Sequence, residues 1–370
     1  MAFAPSIRTL RWDGSRGQWE AGSNVLKAAT IRDVAREAGV SIAVVSRAIN
    51  PGSGPVAPET RDRVLAAIEK LDYRPRAAAR ELQAGATTTI ALMVPDLINP
   101  FFSGIADAIV YEARSRGVHV MVLTTQEDPH LEAELVQTLR TRSVGALIVA
   151  PTDSGTNPFG RLVDLGIHVI CVDRELDDSA GIDVVTIDNE NSARTATQHL
   201  LQLGHERIAI ITGPQHSSSA RSRLVGFRGA MADAGVEVDE QLVRPIAYRG
   251  TLGSDAVGSL LALPHPPTAL IVANGAQAFN SVRRVRQSGI GVPDDLSLVV
   301  FDDNPWTDVF SPALTVIRQP VKMMAMHSTQ IAVSRLQGDR PPAPVRIELR
   351  AELVHRSSCR PLREPPVGGD

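Results

Sequence analysis

The stretch VSIAVVSRAIN, residues 40–50, has an apolar face and then a second, unusual one. At 3.6 residues per turn Val45, Ala48 and Ile49 share the side that a small core would take. Ile42, Ala43, Ser46 and Arg47 fall on the other side, so an isoleucine, an alanine and an arginine face outward together. Ser41 stands where an N-cap is expected, and NPG at 50–52 stops the helix. Just upstream, Thr30 caps a stripe at Ile31, Val34, Ala35 and Ala38, and Gly39 takes the place of a left-handed residue that ends a helix. APETRDRVLAAIEKLDY (57–73) reads as a third amphipathic helix, with Val64, Ile68 and Leu71 inward.

Two short helices joined by a tight, glycine-containing turn predict a helix-turn-helix. In that unit the second helix lies in the major groove of double-stranded DNA, and its first residues meet base edges. The outer face then acquires a use. Arg47 carries a fork for guanine O6 and N7, while Ile42 and Ala43 suit a thymine methyl. Ser41 and Ser46 suit phosphate oxygens, beside the positive end of the helix. Spacing alone leaves open a plain helical bundle in which Ile42 is exposed by accident. Charge does not decide between the two readings. Residues 30–84 hold nine Lys/Arg against seven Asp/Glu, and the whole chain has a formal net charge of -3.

From Thr89 the texture changes. TIALMVPD, VHVMVL, GALIVAP, IHVICVD, VVTID, RIAIITG, TALIVA and LSLVVFDD are apolar runs separated by helical stretches. Strands alternating with helices predict parallel α/β sheets with right-handed crossovers. The length from 89 to about 355 suits two doubly wound lobes in tandem, with a break near IDNENSARTA (187–196). Asp96, Asp153, Asp173, Arg174, Asn274 and Asp302 each follow one of these strands. Any one of them reads equally well as a loop residue or a helix cap. Their repetition at carboxyl ends of strands points to a ligand cleft between the lobes.

Other features narrow the class. The chain has 370 residues, 43% of them hydrophobic and 21% charged, which suits two or three globular domains. Two cysteines, Cys171 and Cys359, leave no disulfide framework and no multi-cysteine metal site. No run reaches the roughly 20 apolar residues of a membrane span. Residues 1–28 contain no apolar export segment and read as a disordered extension, and 357–370 read as a flexible tail, so a cytoplasmic location is expected. An exported sugar-binding protein would share the two lobes but would have no use for residues 30–84. An enzyme is disfavoured: there is no phosphate-binding glycine loop, no nucleophile elbow and no metal-ligand spacing. No cofactor or metal is expected.

ATIRDVAREAGVSIAVVSRAIN (29–50), YRPRAAARELQAG (73–85) and VPDLINPFF (94–102) together resemble the LacI/GalR family of bacterial transcription regulators. The resemblance runs from Ala29 to about Arg356. It implies a DNA-binding headpiece over 29–74, a hinge helix over 75–86 and a two-lobed, periplasmic-binding-protein-like core over 87–356. It also implies a homodimer that represses from near-palindromic operators under control of a small-molecule effector, a sugar or sugar derivative. Position by position, it puts Thr30, Ser41, Ile42, Ala43, Val44, Ser46, Arg47 and Asn50 at the DNA. On the hinge it makes Leu82 a minor-groove wedge and Ala79 the packing point between two hinge helices. It assigns Phe101, Phe102, Asp153, Arg223 (in RSRLVGF, 221–227), Asn274 and Asp302 to the effector; Trp306, just after FDDNP, reads equally as an effector-stacking wall or a surface-loop anchor. Three residues depart from the family pattern. Val44 replaces a usual threonine, Arg76 a usual asparagine, and Gly275, in ANGAQAFNS (273–281), a usual aspartate beside the ligand. The last departure sets the effector apart from a standard pyranose.

Overall fold

The computed structural model describes residues 11–13, 18–20, 30–49, 55–71, 89–179, 181–250, 252–339, 341 and 343–362. It divides into two compact units, residues 1–83 and 84–370.

In the first unit α1 (Ile31–Ala38), α2 (Ile42–Ile49) and α3 (Pro58–Lys70) form the three expected helices. The Thr30 N–H and hydroxyl both donate to Asp33 Oδ2, at 2.9 and 2.6 Å, which satisfies the start of α1. Gly39 ends that helix with φ +65°, and Ser41 Oγ accepts the Val44 N–H at 3.3 Å to open α2. Val34, Ala35, Ala38, Val45, Ala48, Val64 and Ala67 form the small shared core. The extension before Thr30 corrects one expectation, because it contains β1 (Arg11–Asp13) and β2 (Gln18–Glu20), paired antiparallel with Trp12 opposite Trp19. A tryptophan at the centre of each three-residue strand favours extended backbone, a signal too short to register as a pattern. Asn50 and the expected hinge helix over 75–86, with Arg76, Ala79 and Leu82, lie outside the described residues.

The second unit holds two lobes. The first is a sheet of β3 (Thr89–Val94), β4 (His119–Thr124), β5 (Ala146–Val149), β6 (His168–Val172), β7 (Asp183–Ile187) and β13 (Arg346–Leu349). Its order is β13-β7-β6-β5-β3-β4, all parallel. Around it run α4 (Pro100–Ser115), α5 (Pro129–Leu139) and the short α6 (Gly160–Asp164). The second sheet joins β8 (Ile208–Thr212), β9 (Val243–Pro245), β10 (Ala269–Val272), β11 (Ser297–Phe301), β12 (Thr315–Arg318) and β14 (Glu352–Val354). Its order is β14-β12-β11-β10-β8-β9, parallel except where β14 meets β12. Its helices are α7 (Asn189–Gln202), α8 (Ser218–Asp233), α9 (Leu252–Leu261) and α10 (Gly275–Gln287). Each sheet separates two apolar clusters, as near-continuous apolar strands require.

The lobes are not simply in tandem. The first passage between them, at Asp188, falls where the sequence break was expected. The chain then returns at 319–320 into α11 (Val321–Leu336), which packs on α4 and β6, and crosses once more at 350–351 between β13 and β14. Strands β9, β12, β13 and β14 escaped the sequence reading because each is short and broken by a charged residue (Arg244, Arg318, Arg346 and Glu352), whereas the equally short β5 and β10 are wholly apolar. The start of the tail is also held rather than loose. Ser358 is fully buried, accepts the Thr315 N–H and donates to the Leu298 carbonyl, and Leu362 N–H donates to Leu203 O. Among the described residues no helix is long and apolar enough to cross a membrane.

Two features of this unit carry tests. Helices α7 and α8 meet so closely at Gly226 that a Cβ there would overlap the Glu190 carbonyl oxygen, a backbone atom that cannot swing aside. Gly226→Ala should therefore destabilise the protein by about 1–3 kcal/mol or more, read as a lower melting temperature. An unchanged melting temperature would show that the helices separate freely. Glu132, on α5, is 1% exposed and accepts the Thr152 N–H and hydroxyl at 2.9 and 3.0 Å, fixing the loop after β5. Burial outweighs these bonds and pushes its carboxyl from 4.5 up to about 7. The folded chain thus holds this proton more tightly than the unfolded one. The contribution is complete below about pH 4.5 and is lost as pH rises through about 7. Melting temperature should fall between about pH 5 and about pH 8, and less steeply in Glu132→Gln. Parallel curves for the two proteins would assign the slope to other groups.

Candidate functional site

On the first unit α2 keeps Val45 and Ala48 in the core and turns Ser41, Ile42 and Ala43 outward, with Ile42 44% exposed. Val44, Ser46, Arg47 and Ile49 are half-buried. Arg47 Nε donates to the Ala43 carbonyl at 3.3 Å, which lays the arginine along the outer face beside the start of the helix. Thr30 is exposed at the start of α1. Six of the residues expected at DNA, Ser41 to Val44 with Ser46 and Arg47, therefore share α2 or its cap. Ile42 and Ala43 among them face solvent without a core to fill.

The second site lies between the lobes. In each sheet the strand order reverses beside β3 or β8, and a crevice at such a switch point is where α/β sheets bind ligands. Asp96 and the Phe101 and Phe102 rings come from the loop after β3 and the start of α4. The two rings meet edge to face, 5.0 Å apart. Asn99 Oδ1 caps α4 by accepting the Phe101 N–H. Asp173 and Arg174 follow β6; Arg223 comes from α8, Asn274 from the end of β10 and Asp302 from the end of β11. The sequence reading placed these residues together, and the fold brings them to one cleft.

Glu127, Ser219, Tyr248 and Gln319 also line it and were not foreseen. Glu127 holds Arg174 with both oxygens, at 2.7 and 2.9 Å. The Tyr248 ring lies 4.5 Å from the Arg174 guanidinium carbon, and its hydroxyl donates to Ser217 Oγ. Gly213 leaves room for that ring, since a Cβ there would overlap it. Gln319 Nε2 donates to Asp302 Oδ1 at 2.6 Å. Arg223 gives Nε to Asn189 Oδ1 and Nη1 to the Ala273 carbonyl, both at 2.8 Å. Asn189 and Gln319 are residues of the interlobe crossovers, so both ligand-facing side chains are tied directly to the joints.

Gly275 now has a physical reason. Its N–H donates to the Asp302 carboxylate, and any side chain at 275 would run into that carboxylate. Asn274 instead caps α10, accepting the Gln277 N–H at 2.9 Å. Asp153 and Trp306 are not brought to the cleft lining. Asp153 Oδ1 accepts the Gly155 N–H in a local turn, and its neighbour Ser154 bonds across the lobes to His216 O and the Ser218 N–H. Trp306 packs on the second lobe's core and meets the Phe279 ring edge to face at 5.5 Å.

Strain and burial both concentrate here. The described non-glycine residues with positive φ are Gln126, Glu127, Asp173 and Asp302, all at this cleft or next to it. Such conformations persist where surrounding structure enforces them, and they cluster at functional sites. Burial pushes the Asp173 carboxyl up to about 6 despite Arg174 and Arg223 nearby, and raises Asp302 against the pull of Arg223. Arg174 stays charged because Glu127 outweighs the burial that would otherwise disfavour its charge. Further bonds draw the lobes together: Arg249 Nη1 donates to Gln126 O at 2.8 Å, and Glu175 N–H to Ser218 Oγ at 2.9 Å. The cleft is left with only about 30 Å³ of free space. Among the described residues no group of three or more His, Cys, Asp or Glu is placed to hold a metal ion.

Comparison with known proteins covers both units. Residues 30–76 match the family described as bacterial regulatory proteins, lacI family, and residues 197–359 match a periplasmic binding protein-like domain. The HTH-type transcriptional regulator DegA of Bacillus subtilis is 34% identical over 338 residues, 90% of this chain and 98% of its own. The HTH-type transcriptional repressor PurR of Photobacterium profundum is 31% identical over 337 residues, 90% of this chain and 99% of its own. A solved complex of the transcriptional regulator CelR with cellobiose superposes with a TM-score of 0.68 at 31% identity, covering 89% of this chain and 99% of that one. The lac repressor dimer bound to operator and the anti-inducer ONPF gives 0.70 at 27% identity, covering 90% and 100%. Similarity of this extent, running through the helix-turn-helix and both lobes, shows that the chain belongs to the lacI family of bacterial regulatory proteins and is a DNA-binding transcription regulator.

Proposed function

We propose that this regulator is a repressor that grips a near-palindromic operator as a homodimer through α2, and that a sugar or sugar derivative in the cleft controls that grip. The observation that carries the reading is the outer face of α2. Ile42 and Ala43 are exposed at the start of the helix with Arg47 beside them, an arrangement that contributes nothing to the headpiece core and suits base edges. Thr30, Ser41, Val44, Ser46 and Asn50 belong to the same interface in this reading, and Ala79 and Leu82 to the hinge. In the dimer the two α2 helices enter successive major grooves about 34 Å apart. The operator-bound lac repressor dimer and the cellobiose-bound CelR are relatives whose assemblies fit the same scheme.

The innermost part of the cleft holds about 30 Å³ and an adjoining space of about 430 Å³ shares Phe101, Asp302 and Gln319 with it, so a change in lobe separation alters the room an effector finds. An effector that binds one lobe arrangement better than another shifts the equilibrium between them. The resulting coupling to operator affinity is typically about 1–3 kcal/mol.

Arg47→Ala should relax preference at one base pair of each half-site and weaken operator binding by about 1–3 kcal/mol. Binding-site selection on both proteins checks this, and the same motif from both would mean that Arg47 reads no base. Arg223→Ala should leave operator binding in place while abolishing the response to whichever sugar raises the wild-type melting temperature in a screen. An effector titration identical in the two proteins would remove Arg223 from the effector's contacts.

A further inference from the structure

Two guanidiniums in one ligand cleft are, by composition, an invitation to an anion. The hydrogen bonds contradict that expectation. Arg174 is committed to Glu127 on both oxygens, with 3% of the arginine side chain and 11% of the glutamate exposed. Arg223 is committed to Asn189 and the Ala273 carbonyl, and the carboxyls of Asp173 and Asp302 lie in its field. Asp96 faces the same cleft, with Oδ1 accepting the Ile98 and Asn99 N–H groups. Four carboxyl groups thus stand against two guanidiniums among the described lining residues. Arg174 is answered directly by Glu127 and Arg223 stands in the field of Asp173 and Asp302, so a phosphate or a carboxylate entering this dry space meets carboxylates already there.

What the closed cleft does leave over is neutral hydrogen-bonding capacity. Asn274 Nδ2 is a buried donor and Gln319 Oε1 a buried acceptor without a hydrogen-bond partner, and Arg174 Nε, 3.6 Å from Asp173 Oδ2, makes no hydrogen bond. The Asp173 and Asp302 carboxyl oxygens line the same space and accept hydroxyl hydrogens. A buried bond left unmade is unfavourable, so closure over an empty cleft is penalised and closure over a matching ligand is favoured. Hydroxyls both donate and accept, and the Phe102 and Tyr248 rings that flank Arg174 also line the cleft.

We propose that the cleft takes an uncharged, polyhydroxylated ring and rejects its phosphorylated and carboxylated relatives, with Glu127 setting that choice by neutralising Arg174. The proposal rests on the cleft being the effector site and names the class of effector it selects.

The test is calorimetry on the full chain with matched probes: D-glucose, glucose 6-phosphate and glucuronate; D-ribose and ribose 5-phosphate; adenosine and adenosine 5′-monophosphate; and cellobiose. At least one uncharged probe should bind, and its charged counterparts should bind about 100-fold more weakly or worse. Glu127→Gln frees the Arg174 charge and should narrow that gap about tenfold or more by tightening the charged probe. A charged probe that binds wild type as tightly as its uncharged counterpart overturns the class and leaves the effector reading standing. A gap unchanged in folded Glu127→Gln removes the role given to Glu127, and if that variant does not fold, Arg174→Gln tests the same pair from the other side, since the unanswered Glu127 charge should then widen the gap. If none of the probes binds a protein that still grips operator DNA, the effector reading falls and takes the proposal with it.

Discussion

A charge removed from water must be answered close by, and in this protein the answer to Arg174 organises the cleft. Arg174 sits at the meeting of the two lobes, with Phe102 of the first on one side and Tyr248 of the second on the other. Its counter-charge comes from a loop after β4, where Gln126 and Glu127 both adopt left-handed backbone to present the carboxylate. Two consecutive residues in that conformation are unfavourable, and a buried ion pair joined by two hydrogen bonds offsets them. The same loop takes Arg249 from the opposite lobe. Remove the pair and the floor of the cleft, the clasp at its mouth and the balance of charge inside it all change together.

The two lobes repeat one solution. Strands β6 and β11 occupy equivalent places in their sheets, and each is followed at once by an aspartate with positive φ, Asp173 and Asp302. Each aspartate is buried, lines the cleft and has a carboxyl raised by burial. Aspartate tolerates the left-handed region better than most residues, which lets the strand end turn its side chain back across the crevice. The pairing also explains Gly275, whose lack of a side chain is what allows Asp302 to lie where it does.

Much of this was legible in the sequence, for identifiable reasons. Val34, Ala38, Val45 and Ala48 fix the helix pair by period alone, and long apolar strands announce where Asp96, Asp173, Asn274 and Asp302 must stand. Glu127 and Gln319 were not legible, because the first lies past a polar loop and the second past a four-residue strand. Tyr248 follows a strand of three residues, too short for a period to form. Asp153 misled because its position at a strand end is right while its side chain closes a local turn with Gly155. Trp306 misled because an aromatic just beyond a binding aspartate also serves as a plug on the lobe's own core. An apolar run marks the address of a strand end; it does not mark the direction in which the next side chain points.

The crossovers hold a consequence for how such a cleft can change. Asn189 and Gln319 belong to the chain segments that cross between the lobes, and they hold Arg223 and Asp302. Grip and pivot are therefore built from the same few atoms. A lineage that exchanged one of these four residues to welcome a new nutrient would also reset the resting posture of the molecule, so appetite and responsiveness are inherited as one trait.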